Sequence, residues 1–144
     1  MYVFNFKARQ LEAKSLLREV FVNQKKVYKE TGQYTGCIDE LIDSETKRER
    51  YIIGFGEKTQ QVFGCASITQ SSDKNVFVNQ DLIEAFDKSF VEANSYLAVA
   101  VGRICDDCDL DIWTVDPDHN LINVQNGLPR GKEFFAYVFM VFVS

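Results

Sequence analysis

Four cysteines, one histidine and a run of carboxylates hold what chemistry this chain could perform. Cys105 and Cys108 form a C-x-x-C pair in the stretch CDDC. Such a pair becomes a redox site when a helix N-terminus lowers a thiol pKa. Here the pair follows an apolar run and precedes Leu110-Asp111-Ile112, which reads as a strand. Asp106, Asp107, Asp109 and Asp111 crowd it with negative charge, which raises a thiol pKa. Together with Cys37 and Cys65 the pair could hold zinc, but a zinc ribbon brings two close pairs, and Cys37 and Cys65 are far apart in sequence. Structural disulfides fit the pattern better. Several connectivities stay open, of which Cys37–Cys65 with Cys105–Cys108 is favoured. The carboxylates Asp106, Asp107, Asp109 and Asp111 are the oxygen-rich set that calcium takes, without the glycine and closing glutamate of an EF-hand. The competing reading is a solvated strand face and loop. His119 falls in the turn Asp116–Asn120, with no evident nucleophile and no group to orient it. Gly54-Phe55-Gly56 is too short for a phosphate loop. With no defended constellation of acid, base and nucleophile, the sequence predicts neither an enzyme nor a bound cofactor.

The chain has 144 residues, 46% of them hydrophobic, with 12 Phe and 6 Tyr. That is enough for one domain, 1–144, with a buried core. A net charge of −5 argues against nucleic acid as a partner, because such binding rests on basic groups neutralising phosphates. No apolar run reaches the roughly 20 residues that cross a bilayer.

The elements that would carry these residues follow from periodicity. Residues 2–31 read as one long helix, part of a 1–32 unit. Its stripe of Ala13, Leu16, Leu17, Val20, Phe21, Val27 and Tyr28 is interrupted by Gln24. Gly32 stands where a helix-ending glycine belongs, and Lys25, Lys26 and Lys29 suit the dipole of the last turns. The helix start is odd. Lys7 and Arg9 precede the first acid, Glu12, and no residue caps the N-terminus in the usual way. A short helical turn is expected at 38–42. Strands are expected at 51–56, 62–69, 96–104, 110–115, 121–124 and 134–143, with 110–115 showing one wet face. A small inserted helix is expected at about 80–93, with Leu82, Ile83, Phe86 and Phe90 on one face. The order is α+β, a long helix followed by a mainly antiparallel sheet over 50–144.

Two segments carry a longer pattern. The first is Arg9-Gln10-Leu11-Glu12-Ala13-Lys14, followed by Gln24, Tyr28, Gly32 and Tyr34. The second lies in 97–128, where Asp111, Trp113, Thr114, Val115 and Asp116 precede Leu121, Asn123, Asn126 and Gly127. Found in this order they resemble the bacterial type IV pilins; together they cover a little under half of the chain, and 44–95 has no counterpart.

The resemblance implies a pilin-like roll, with the long helix packed on an antiparallel sheet and continuing upstream into an apolar membrane-spanning segment. It also implies a structural subunit of a type IV pilus or related filament, serving adhesion, motility or a related surface function. Such a subunit is made in the inner membrane and extracted by the pilus assembly machinery into an extracellular fibre. Its partners are other pilin subunits. On this reading Phe4, Phe6 and Leu11 make subunit contacts, and the basic helix start needs no correction because it is not a true start. Ala13, Leu16, Leu17, Val20, Val27, Tyr28 and Trp113 are expected to pack helix against sheet. The alternatives are a soluble calcium- or zinc-binding interaction module and a C-x-x-C thiol-redox protein.

Overall fold

The computed structural model describes residues 2–43, 45–46, 50–56, 65–69, 84–105 and 107–128, with the side chains of 2–5 left aside. Helix α1 spans Tyr2–Thr31. At 1.5 Å per residue it is about 45 Å long. Phe6, Gln10, Ala13, Leu17, Val20 and Gln24 are all buried, in alternating steps of four and three that keep one stripe facing inward. The helix stops at Gly32, whose φ of 80° suits a residue without a Cβ. The Gly32 N–H donates to the Tyr28 carbonyl at 2.8 Å.

The chain then doubles back along α1 and is pinned by helix side chains. Thr35 meets Gln24. The 3₁₀ turn Ile38–Glu40 follows, and Asn23 Nδ2 donates to the Leu41 carbonyl at 2.7 Å. Glu19 accepts the Asp43 N–H at 2.9 Å, and Glu12 accepts the N–H groups of Arg50 and Tyr51 at 3.0 and 2.9 Å. Those last two bonds set the start of the sheet.

The strands are β1 (Tyr51–Gly54), β2 (Phe90–Val91), β3 (Tyr96–Arg103), β4 (Leu110–Val115) and β5 (Leu121–Gln125). All pairings are antiparallel, in the order β1-β3-β4-β5, and β2 pairs with the first residues of β3. Ala13, Leu16, Leu17 and Val20 of the helix pack on Tyr51, Ile53, Ala98, Ala100, Trp113 and Val115. The small Ala98 and Ala100 at the centre of β3 leave room for the helix. On the opposite face Ile52, Val99 and Val101 pack with Phe86, Ala85 and Ile68. The fold is therefore α+β, a long helix on an antiparallel sheet.

Three sequence expectations change. The inserted helix does not run to residue 93. Among its described residues only 84–85 are helical, a turn follows at 86–88, and Phe90–Val91 is a strand paired with Leu97 and Tyr96. A tight turn closes that hairpin, with Glu92 N–H donating to the Ser95 carbonyl at 2.8 Å, so Phe90 lies on no helical face. Strand β4 has no wet face, because Asp111, Trp113 and Val115 lie under the helix while Leu110 and Ile112 pack on the other layer. In the expected 62–69 strand, residues 65–69 make a single bridge, Gly54 to Ile68, and 62–64 fall outside the described residues. The expected strand at 134–143 also lies outside them.

Candidate functional site

The centre of the site is Asp111 on β4, fully buried beneath α1. Five donors converge on its carboxylate oxygens. Gln10 Nε2, Asn123 Nδ2 and the Gly127 N–H reach Oδ1 at 3.0, 3.4 and 2.9 Å, while Tyr51 Oη and Trp113 Nε1 reach Oδ2 at 2.5 and 2.7 Å. They come from α1, β5, the segment after β5, β1 and β4. A buried carboxyl group must find hydrogen bonds, and here the whole domain supplies them.

The sequence makes room for this in two places. Tyr51, Gly102 and Asp111 stand side by side across β1, β3 and β4. A Cβ on Gly102 would meet the Tyr51 ring at 2.8 Å, so a glycine there lets the phenol lie across β3 to Asp111. A Cβ on Gly127 would meet Asp109 O at 2.6 Å and Asp111 Cβ at 2.9 Å. Asn123 also donates to the Ile112 and Gln125 carbonyls, both at 3.0 Å, where the β4–β5 register shifts between Ile112 and Trp113. Asn126 Oδ1 accepts from Gln10 Nε2 at 3.2 Å and from the Leu128 N–H at 2.9 Å.

The helix segment above this centre contacts it almost residue by residue. Arg9 Nη1 donates to the Ile104 carbonyl. Gln10 reaches Asp111, Glu12 holds the entry to β1, Ala13 is buried, and the Lys14 ammonium lies 5.0 Å from the centre of the Trp113 ring. Leu11 alone turns outward, 58% exposed. Burial, and next the hydrogen bond to Asp111, push the Tyr51 phenol well above the ordinary tyrosine pKa. Burial, then the neighbouring Tyr34 and Asp116, raise that of Tyr96.

The cysteines pair as Cys37–Cys65 and Cys105–Cys108, with Cα–Cα separations of 5.2 and 5.1 Å. No helix follows Cys108; the turn leads directly into β4. The calcium set is not assembled. Asp111 points inward with its oxygens occupied by donors, Asp107 and Asp109 are exposed, and Asp106 lies outside the described residues. Among the described residues no three His, Cys, Asp or Glu side chains are grouped to hold a metal ion.

His119 sits at the β4–β5 turn with φ 61° and stacks on Phe21, ring centres 4.3 Å apart. In that turn Asp116 accepts from the Asp118 and Asn120 N–H groups and from Asn120 Nδ2. Burial alone would raise the Asp116 carboxyl, but these bonds outweigh it and hold the pKa below the ordinary value.

Ala13, Leu16, Leu17, Val20 and Trp113 are buried at the helix–sheet core. Val27 is only half-buried, and Tyr28 is 39% exposed with its ring tilted against that of Tyr34, centres 4.6 Å apart. Phe6 is not an outward contact residue. It is buried with Ile104 and Cys108, beside Cys105 and Leu128. The Phe4 side chain lies outside what the structure describes. Gln10 and Gln24 were missed from the sequence as buried anchors; each falls on the period of the inward stripe, which is the signal that could have found them.

Among the described residues no helix is long and apolar enough to cross a membrane. Comparison with protein-family models, curated proteins and solved structures gives no match.

Proposed function

We propose that this chain is the globular part of a filament subunit of the type IV pilin class, acting by assembly and not by catalysis. One observation carries the reading. The two segments that resemble that family are far apart in sequence, yet they meet at Asp111: Gln10 from the first, and Asp111, Trp113, Asn123, Asn126 and Gly127 from the second. In Arg9–Lys14 every residue but Leu11 is engaged with the sheet or its loops. A motif whose members serve one shared junction is a stronger signal than the same letters scattered over a surface.

Leu11 and Val22 add support. They are 58% and 55% exposed, about three turns apart on the same outward stripe of α1. On this reading that stripe packs against neighbouring subunits in a non-closing, head-to-tail assembly. The subunit starts in the inner membrane, passes through the pilus assembly machinery and ends on the cell surface.

The test is filament assembly in cells carrying the complete gene, with Leu11→Asp and Val22→Asp combined. Both side chains are exposed, so the thermal midpoint of the isolated domain should stay within a few degrees. Surface filaments, counted by electron microscopy, should be lost. Undiminished filaments would remove the stripe from the interface. Their absence from unmodified cells that express the protein would count against the filament reading itself.

A further inference from the structure

We propose that the Cys105–Cys108 disulfide is a redox-sensitive latch that seats the N-terminal third of α1 on the domain. The turn joining β3 to β4 forms that seat. Phe6 of the helix is buried with Ile104 and Cys108, and Cys105 and Leu128 pack at its edge. Arg9 donates to the Ile104 carbonyl, and Arg50 Nη1 reaches the same oxygen at 3.4 Å. That carbonyl directly precedes Cys105, so the cross-link fixes the acceptor as well as the apolar seat. The turn is closed further by the Cys108 N–H on the Cys105 carbonyl at 3.2 Å and by Arg103 Nη1 on the Cys108 carbonyl at 2.8 Å.

The other disulfide has a different place. Cys37 adjoins the 3₁₀ turn, whose Ile38 N–H donates to the Ala66 carbonyl at 3.0 Å, and neither Cys37 nor Cys65 belongs to the Phe6 cluster. Farther along α1, residues Ala13–Gln24 are held by the main core and by the paired bonds between Gln24 and Thr35. Gln10 is held besides by Asp111 and Asn126, so release is confined to the turns around Phe6 and Arg9 while the rest of the helix stays docked.

The chemistry is thiol–disulfide exchange with a dithiol. Cys105 is half-buried and Cys108 is buried, so a dithiol's first thiolate attacks Cys105 Sγ, and Cys108 leaves as a thiolate that takes up a proton. The dithiol's second thiolate then attacks the mixed disulfide and releases the Cys105 thiolate, which is protonated in turn. The protein gains two electrons and two protons, and the dithiol closes to its own disulfide. Because the coupling is reciprocal, a docked helix must favour the oxidised form by the same factor by which oxidation favours docking.

Two measurements on the full chain test the latch, with dithiothreitol as the dithiol. First, thiol trapping and mass spectrometry give the oxidised fraction of the Cys105–Cys108 peptide across a series of reduced and oxidised dithiothreitol. Phe6→Ala should shift this equilibrium toward the reduced form by about tenfold, whereas Phe6→Leu should restore most of the difference. Second, amide hydrogen exchange is read along α1 in Cys105→Ser/Cys108→Ser protein. Residues 6–12 should exchange about tenfold faster and residues 16–24 within about twofold of the unmodified chain. An equilibrium indifferent to Phe6→Ala would overturn the latch. So would equal loss of protection along the whole helix, or none at residues 6–12. If Phe6→Ala does not fold, the exchange pattern of the double serine variant alone decides.

Discussion

Gln10 and Gln24 both lie on the inward stripe of α1, about four turns apart, yet they anchor the helix differently. Gln24 spends both ends of its amide on one neighbour, donating to the Thr35 carbonyl at 2.8 Å and accepting the Thr35 N–H at 3.0 Å. Its partner is backbone, so the clamp is local and indifferent to which side chain stands at position 35. Gln10 instead reaches side chains on the far side of the chain, Asp111 and Asn126. Its anchor exists only if helix, β1, β4, β5 and the segment after β5 are all in place. A backbone clamp orders a loop, whereas a shared carboxylate makes five parts of the molecule depend on one another.

Changes at the shared carboxylate should cost most. Asp111→Asn replaces one acceptor oxygen with a donor and sets it against donors already present. Loss of about 4 kcal/mol is expected in urea denaturation, since several buried donors lose partners together. A cost under about 1 kcal/mol would mean that the junction is not cooperative.

The two disulfides form the next contrast. Opening Cys37–Cys65, with a sequence separation of 28, should cost about 3.5 kcal/mol. Opening Cys105–Cys108, with a separation of 3, should cost about 2 kcal/mol. Equal midpoint shifts for Cys37→Ala/Cys65→Ala and Cys105→Ala/Cys108→Ala would show that loop closure does not set the difference. At the local clamp, Gln24→Leu leaves the buried Thr35 amide and carbonyl without the glutamine, at about 2 kcal/mol. Faster exchange should be confined to the Thr35 side of the helix, with residues near Gln10 unaffected.

The smallest effect is alkaline. The Tyr51 and Tyr96 phenols are held neutral above the ordinary tyrosine pKa, and an unfolded chain ionises them near pH 10. Raising the pH past about 10 therefore stabilises the unfolded state, and folding stability falls by about 1 kcal/mol per pH unit for each tyrosine. Tyr51→Phe should remove one tyrosine's share of that slope and leave those of Tyr96 and Tyr34, which burial also raises. An unchanged slope would remove Tyr51 from the linkage.

Local features of this fold were readable in the sequence, and the junction was not. Helix α1 through Gly32, strand β4 at Leu110–Val115 and the returning β5 follow from periodicity and turn residues that lie next to one another. Strand β2 was hidden because Leu82, Ile83, Phe86 and Phe90 happen to fit a helical period, while a two-residue strand has no period of its own. Asp111 stands both in an acidic run and at the head of the second segment that resembles the pilins, and neither place says that it is a buried acceptor. Its role depends on Gln10, Tyr51 and Gly127, which periodicity does not bring together, and the one local hint was its place on the same strand face as Trp113 and Val115. Phe6 read as an outward residue because its seat, Ile104 and Cys108, comes from a turn far along the chain.

The most direct test of the account is a double-mutant cycle between Gln10→Leu and Asp111→Asn, measured by urea denaturation. If helix and sheet are joined through this contact, the two changes should fall short of additivity by about 1 to 2 kcal/mol. Additivity within about 0.5 kcal/mol would mean that Gln10 and Asp111 act independently, and the helix would then be held by its apolar stripe alone.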